Sequence, residues 1–122
     1  MLNTIYETGY DLHVANYIAY LHTDKKLYED EQVVAFYDIN PQAPVHVVVI
    51  PKKHVASSAD EITAANSGTI AALFEAVPKI AKAAGLTNGY RIVNNCGADA
   101  CQSVQHIHFH ILGGKQLADS MA

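Results

Sequence analysis

The chain has 122 residues, half of them hydrophobic and 16% charged, with a formal net charge of -4. Such a length suits one domain that buries roughly two-thirds of the surface its unfolded form exposes. The composition excludes a disordered polar chain, and the acidic balance excludes a protein that wraps nucleic acid or coats an anionic membrane through bulk charge.

In chain order, the opening stretch carries no basic leader, and no apolar run is long enough to cross a bilayer. Cys96 and Cys101 are the only cysteines, which suits a reducing compartment, so a soluble cytoplasmic protein is expected. Asp11 is placed to cap a short N-terminal helix in which Leu12, Ala15, Ile18, Ala19 and His22 have helical spacing. From Gln32 the pattern changes to β-branched and aromatic runs. QVVAFYDI and HVVVIP read as two antiparallel strands joined by the turn Asn40-Pro41-Gln42-Ala43-Pro44. Ser58-Ala59-Asp60-Glu61 resembles a capping box that opens a long helix, with Ile70, Leu73, Val77, Ile80 and Ala84 stepping by three and four and Gly85 closing it. Pro78 lies inside that helix and is expected to remove a hydrogen bond and bend it. After a Thr87-Asn88-Gly89 turn come a strand, YRIVNN, a small-residue loop, CGADACQSV, and a last strand, QHIHFHIL. No repeat or linker marks a boundary, so residues 1–122 read as a single domain. Its class is α+β: an antiparallel sheet of about five strands with one long helix and a shorter N-terminal helix.

Three of the seven histidines fall at positions 106, 108 and 110, within one predicted strand. Residues two apart on a strand share a face, so His106, His108 and His110 are expected in a row, with Ile107, Phe109 and Ile111 facing the core. Two chemistries use such a row. Three neutral imidazoles can hold a metal and leave a position open for water. Alternatively, one ring nitrogen attacks phosphorus while its neighbours orient it and stabilise charge on the phosphoryl oxygens. The loop favours the second, because Asn95, Gln102, Ser103 and the amides around Gly97, Ala98 and Ala100 supply donors that a phosphate needs.

The string QSVQHIHFHILGG resembles the signature of the histidine-triad nucleotide-binding superfamily, HIT, in its HINT-type branch. AFYDINPQAPVHVVVIPKKH is similar to the segment of that branch running from its ribose-binding aspartate, and GLTNGYRIVNN to its strand leading into the phosphate loop. The matching pieces span about residues 32 to 115. The resemblance implies that His108 is a nucleophile forming a nucleotidyl-histidine intermediate, with the His106 backbone accepting its second ring proton. It also implies phosphate contacts from His110, Ser103, the Cys101 amide and the Gln102 side chain. Asp38 would accept the ribose hydroxyls, Ile39 would flank the sugar or base, and Asn95 would reach the sugar-phosphate region. His46 would complete a proton-relaying histidine network, with His54 a weaker candidate for the same role. Tyr17, Ile18 and Leu21 are placed as base-pocket walls.

The implied activity is hydrolysis of the P–N bond of a purine nucleoside 5′-phosphoramidate, releasing an AMP-like nucleotide. The alternatives are a dinucleoside polyphosphate hydrolase and a nucleotide- or partner-binding module with little turnover. Relatives form homodimers, and the same is expected here; no cofactor, metal, nucleic acid or membrane partner is expected. The sequence departs from the pattern at Ala100-Cys101, where relatives commonly carry two glycines before the Gln-Ser. It also lacks the paired N-terminal cysteines of zinc-binding relatives and the aromatic-proline tail of some HINT proteins.

Overall fold

The computed structural model describes residues 25–121. The expected N-terminal helix and the wall residues Tyr17, Ile18 and Leu21 lie outside that range. Five strands form one antiparallel sheet: β1 (Lys26–Glu29), β2 (Val33–Tyr37), β3 (Val45–Pro51), β4 (Tyr90–Val93) and β5 (Phe109–Gly113), in the order β1-β2-β3-β5-β4. One long helix, α1 (Ser67–Ala83), packs on it. This is the α+β architecture expected, with its fifth strand supplied by β1.

β2 and β3 read as unbroken apolar runs because both faces of the central sheet are covered. On one face Val33, Ala35, Val47, Val49, Phe109 and Ile111 meet Leu73, Ala76, Val77 and Ile80 of α1. On the other, Val34, Phe36, Val48 and Ile50 form a second cluster under Val104 of the loop before β5. Each buried Val, Leu, Ile or Phe among them stabilises the fold by about 1.5–3 kcal/mol. The second face belongs to the site, because His46 and His110 lie on it in alternation with the helix-facing residues.

The helix differs from expectation at its start. It begins at Ser67, not after Ser58, and residues 59–61 form only a 3-10 turn with no side-chain cap from Ser58. The apolar spacing starts at Ile70, so an earlier turn would have nothing to bury. Asn66 instead ties the approach down, with its side chain donating to the carbonyls of Val55 and Glu61 and accepting from the Thr63 amide. Pro78 sits inside α1 on the exposed side without ending it. The C-terminus follows the sequence. Gly85 adopts a φ of 76°, its amide bonds the Lys82 carbonyl, and the Leu86 amide reaches back to Ala81, a Schellman closure that favours glycine at this position.

Among the described residues, no helix is long and apolar enough to cross a membrane.

Candidate active site

The His-rich segment is not the continuous strand expected. Only His110 lies in the ladder, opposite Val48 of β3; β5 begins at Phe109, and His106 and His108 precede it. Alternation still holds along the extended approach, with Ile107 and Ile111 fully buried and Phe109 packed toward α1. What replaces the ladder is a set of single hydrogen bonds. The Ile107 amide donates to the Ala56 carbonyl at 2.9 Å, and the Asn94 side chain donates to the His108 carbonyl at 2.8 Å.

Five histidines converge on this region, and backbone partners fix the tautomers of three of them. His108 is 6% exposed, and its Nδ1 lies 2.7 Å from the His106 carbonyl, which can only accept. Nδ1 therefore carries the proton, and in the neutral ring Nε2 keeps its lone pair. Burial pushes the His108 pKa down, against the opposing pull of that carbonyl and of Asp38. At neutral pH the ring is an uncharged base.

His46 begins as a strand residue of β3, and the turn before it curls back so that the Gln42 amide donates to its Nδ1 at 3.0 Å. A backbone N–H can only donate, so the proton of a neutral His46 sits on Nε2 and is given to Nδ1 of His110, 2.8 Å away. His110 must then hold its own proton on Nε2. Burial, reinforced by the neighbouring His108 and His46, pushes the His110 pKa down to about 4. The result is a pair of neutral rings with opposite faces to a ligand: His108 offers a lone pair and His110 an N–H. Their rings meet edge to face at 5.2 Å between centroids.

Asp38 follows β2 directly. One carboxylate oxygen caps the Asn40 amide at 2.8 Å, while the other lies 3.6 Å from His46 Nε2. The turn cap and the approach to His46 thus use different oxygens of the same group. Ile39 is 46% exposed beside it. Asn95 is half-buried just beyond the end of β4, and Ser103 is exposed in the loop before the histidines.

Two expected phosphate contacts are placed differently. The Gln102 side chain accepts from the Gly97 amide and donates to the carbonyls of Ser57 (2.6 Å) and Val104 (3.0 Å). Both of its amide protons and its oxygen are thereby committed to stapling the loop. The Cys101 amide closes the 3-10 turn onto the Ala98 carbonyl at 3.0 Å. Cys101 itself sits at a φ of 60°, the left-handed region, at one of the two positions where relatives place glycine.

His54 does not join His46 and His110. It lies instead against His106, with the two Nδ1 atoms 3.1 Å apart, and His106 Nε2 is 3.0 Å from the Pro51 carbonyl. With both nitrogens of His106 engaged, the three triad rings do not converge on a metal. Among the described residues, the group whose donor atoms could hold an ion is Asp38, His46 and His110, all within 4.8 Å of one another. A cation there would have to displace the proton shared between the two rings. Asn94, the Gln42 amide and the Pro51 carbonyl were not visible as site residues in the sequence, because two act through the backbone and Asn94 resembles its neighbour Asn95.

Residues 21–117 match the HIT domain. An uncharacterised 13.2 kDa HIT-like protein of Azospirillum brasilense is 48% identical over 94 residues, spanning 76% of this chain and 77% of the relative. A 14 kDa zinc-binding protein of Zea mays is 46% identical over 92 residues, spanning 75% of this chain and 72% of the relative. Among solved structures, a HIT family hydrolase from Clostridium thermocellum superposes with a TM-score of 0.79 at 39% identity, covering 89% of this chain and 96% of that one. A histidine triad protein from Clostridium difficile gives 0.74 at 42% identity, covering 80% and 85%. Matched over most of its length by the family's domain and by its solved members, the chain belongs to the HIT family.

Proposed function

We propose that this protein is a HINT-like nucleotide hydrolase that cleaves the P–N bond of purine nucleoside 5′-phosphoramidates, with AMP-type products and His108 as nucleophile. The observation that carries this reading is the 2.7 Å bond from His108 Nδ1 to the His106 carbonyl, which leaves Nε2 unprotonated in a buried ring. In the first step Nε2 bonds to phosphorus and the P–N bond breaks, its electron pair leaving on the amine, which takes a proton from solvent, and the proton that the attacking water gives up in the second step returns to solvent. The positive charge on the nucleotidyl-imidazole is supported by the same carbonyl through Nδ1–H. Water then attacks phosphorus, the N–P bond breaks, and the nucleotide leaves with the ring restored.

His110 presents Nε2–H to a phosphoryl oxygen, and His46 fixes that tautomer. The outer oxygen of Asp38 accepts from the ribose hydroxyls, Ile39 packs on the sugar or base, and Asn95 and Ser103 bond the sugar-phosphate region. Gln102 holds the loop that carries them. The hydrolase named in the Clostridium thermocellum relative agrees with this class of reaction. Tyr90 and Ile92, exposed on the edge strand β4, support a homodimer, and the cysteine usage supports a cytoplasmic setting.

The test is to incubate the protein with AMP-lysine, adenosine phosphoramidate and a dinucleoside polyphosphate in parallel, and to trap the intermediate. Phosphoramidates are expected to turn over fastest, with phosphorus bonded to residue 108. His108→Ala should lower turnover by roughly four orders of magnitude while retaining nucleotide binding. Product formation without a nucleotidylated His108, or unchanged cleavage by the Ala variant, overturns the reading.

A further inference from the structure

The segment 106–108 delivers the nucleophile and yet lies outside the sheet, so something other than ladder pairing has to set the His106 carbonyl on which the His108 tautomer depends. His106 is 1% exposed, and its ring is anchored at both nitrogens. The Pro51 carbonyl, 3.0 Å from Nε2, can only accept, so Nε2 bears the proton and Nδ1 of the neutral ring is an acceptor. The 3.1 Å contact between the two Nδ1 atoms is then a hydrogen bond in one direction only: His54 donates. His54 is part-buried and follows β3 by a few residues, in the same stretch that supplies the Pro51 and Ala56 carbonyls to His106 and Ile107.

The geometry points to His54 as a positioning residue of the reaction: its Nδ1–H holds His106 in the Nε2–H tautomer and in the ring orientation that presents the His106 carbonyl to His108. This rests on His108 being the nucleophile, but the tautomer itself does not. Losing the donor leaves the buried Nδ1 of His106 without this partner, and the ring gains freedom to turn away from Pro51. The carbonyl two bonds from that side chain's Cα then loses its fixed direction, and His108 spends time in the tautomer that cannot attack through Nε2. Recognition of the nucleotide by Asp38 and Ile39, which sit at the far end of β2, is untouched.

Accordingly, His54→Ala is expected to lower kcat by about tenfold or more with KM within about twofold, and His54→Asn, whose amide can donate to the same nitrogen, should recover most of the loss. Nitrogen-15 spectra of the unliganded full-length protein supply the second readout. They should show His106 protonated at Nε2 and bare at Nδ1 in the wild type and the Asn variant, with a mixture of tautomers at His106 and His108 in the Ala variant. A wild-type kcat in His54→Ala overturns the proposal, as does an Asn variant as slow as the Ala one, or a wild-type His106 protonated at Nδ1. If no phosphoramidate is cleaved by the wild type while the nitrogen spectra are as expected, the hydrolase reading fails and the His54–His106 lock stands.

Discussion

The two halves of the site are held in different ways. Asp38, His46 and His110 ride on or directly beside β2, β3 and β5, where a paired register, Val48 against His110 and His46 against Leu112, sets their positions through many repeated backbone bonds. His106, His108 and the loop 97–104 have no ladder. They are pinned by separate bonds: Ile107 to Ala56, His106 to Pro51, Asn94 to His108, and Gln102 to Ser57 and Val104. A ladder distributes a local loss over its neighbours, whereas a pinned segment has one bond per degree of freedom. Damage to the core should therefore lower stability and spare chemistry, and damage to a pin should do more to chemistry than its stability effect suggests.

Ile111→Ala is the largest expected stability change. Ile111 is fully buried against α1 and neighbours His110 in the same strand, so truncation should cost about 2–4 kcal/mol, read as a fall in the midpoint of denaturant unfolding. Turnover per folded molecule should stay within about twofold, because the ladder keeps His110 opposite Val48. A tenfold loss of kcat in the folded variant would show that the strand is no more forgiving than the loop.

Gln102→Ala tests the other half. Three hydrogen bonds disappear, and a loss of about 1–3 kcal/mol is expected together with a roughly tenfold drop in kcat as the loop loosens. An unchanged melting temperature with a raised KM would return this side chain to direct phosphate contact, the role implied by its position in the motif.

The same division separates what the sequence made legible from what it hid. Runs of β-branched and aromatic residues located β2 and β3, and the three-four spacing located α1, because burial is written into the local pattern of a single element. β1 was missed: KLYE is four residues long, exposed at both ends and without a clear apolar face. Pairings across the fold were hidden too. Nothing in the sequence says that His54 meets His106 while His46 meets His110, since strand register and loop path decide it. The loop-stapling bonds of Gln102 were hidden for a related reason. An amide side chain serves a phosphate or three backbone groups equally well, and only the surrounding carbonyls distinguish the two.

Acid sharpens the comparison further. His110, pushed down to about 4, and His46 and His108, also lowered chiefly by burial, bind protons less readily in the folded state than in the unfolded one. Folding stability is then fully present above the ordinary histidine range near 6.5 and falls as pH drops toward about 4, because the unfolded chain takes up more protons across that window. A pH series of melting temperatures should show this decline, with a shallower slope in His110→Gln. A flat profile between those limits would mean that the rings are not held neutral by the fold.

The smallest effect belongs to the loop's backbone. Cys101 adopts a φ of 60° with a Cβ in place, and the left-handed region costs an ordinary L-residue roughly 1–2 kcal/mol. Glycine removes that strain but has more conformational freedom to lose on folding, by roughly 0.5–1 kcal/mol. The net gain from Cys101→Gly should therefore lie between about zero and about 1.5 kcal/mol, a rise of at most several degrees in melting temperature for a chain of this size. The pins from Gln102 remain in that variant, so kcat should hold steady. If stability falls instead, the exposed thiol makes a contact worth more than the strain, and the loop is held by its side chains to a greater degree than its hydrogen bonds indicate.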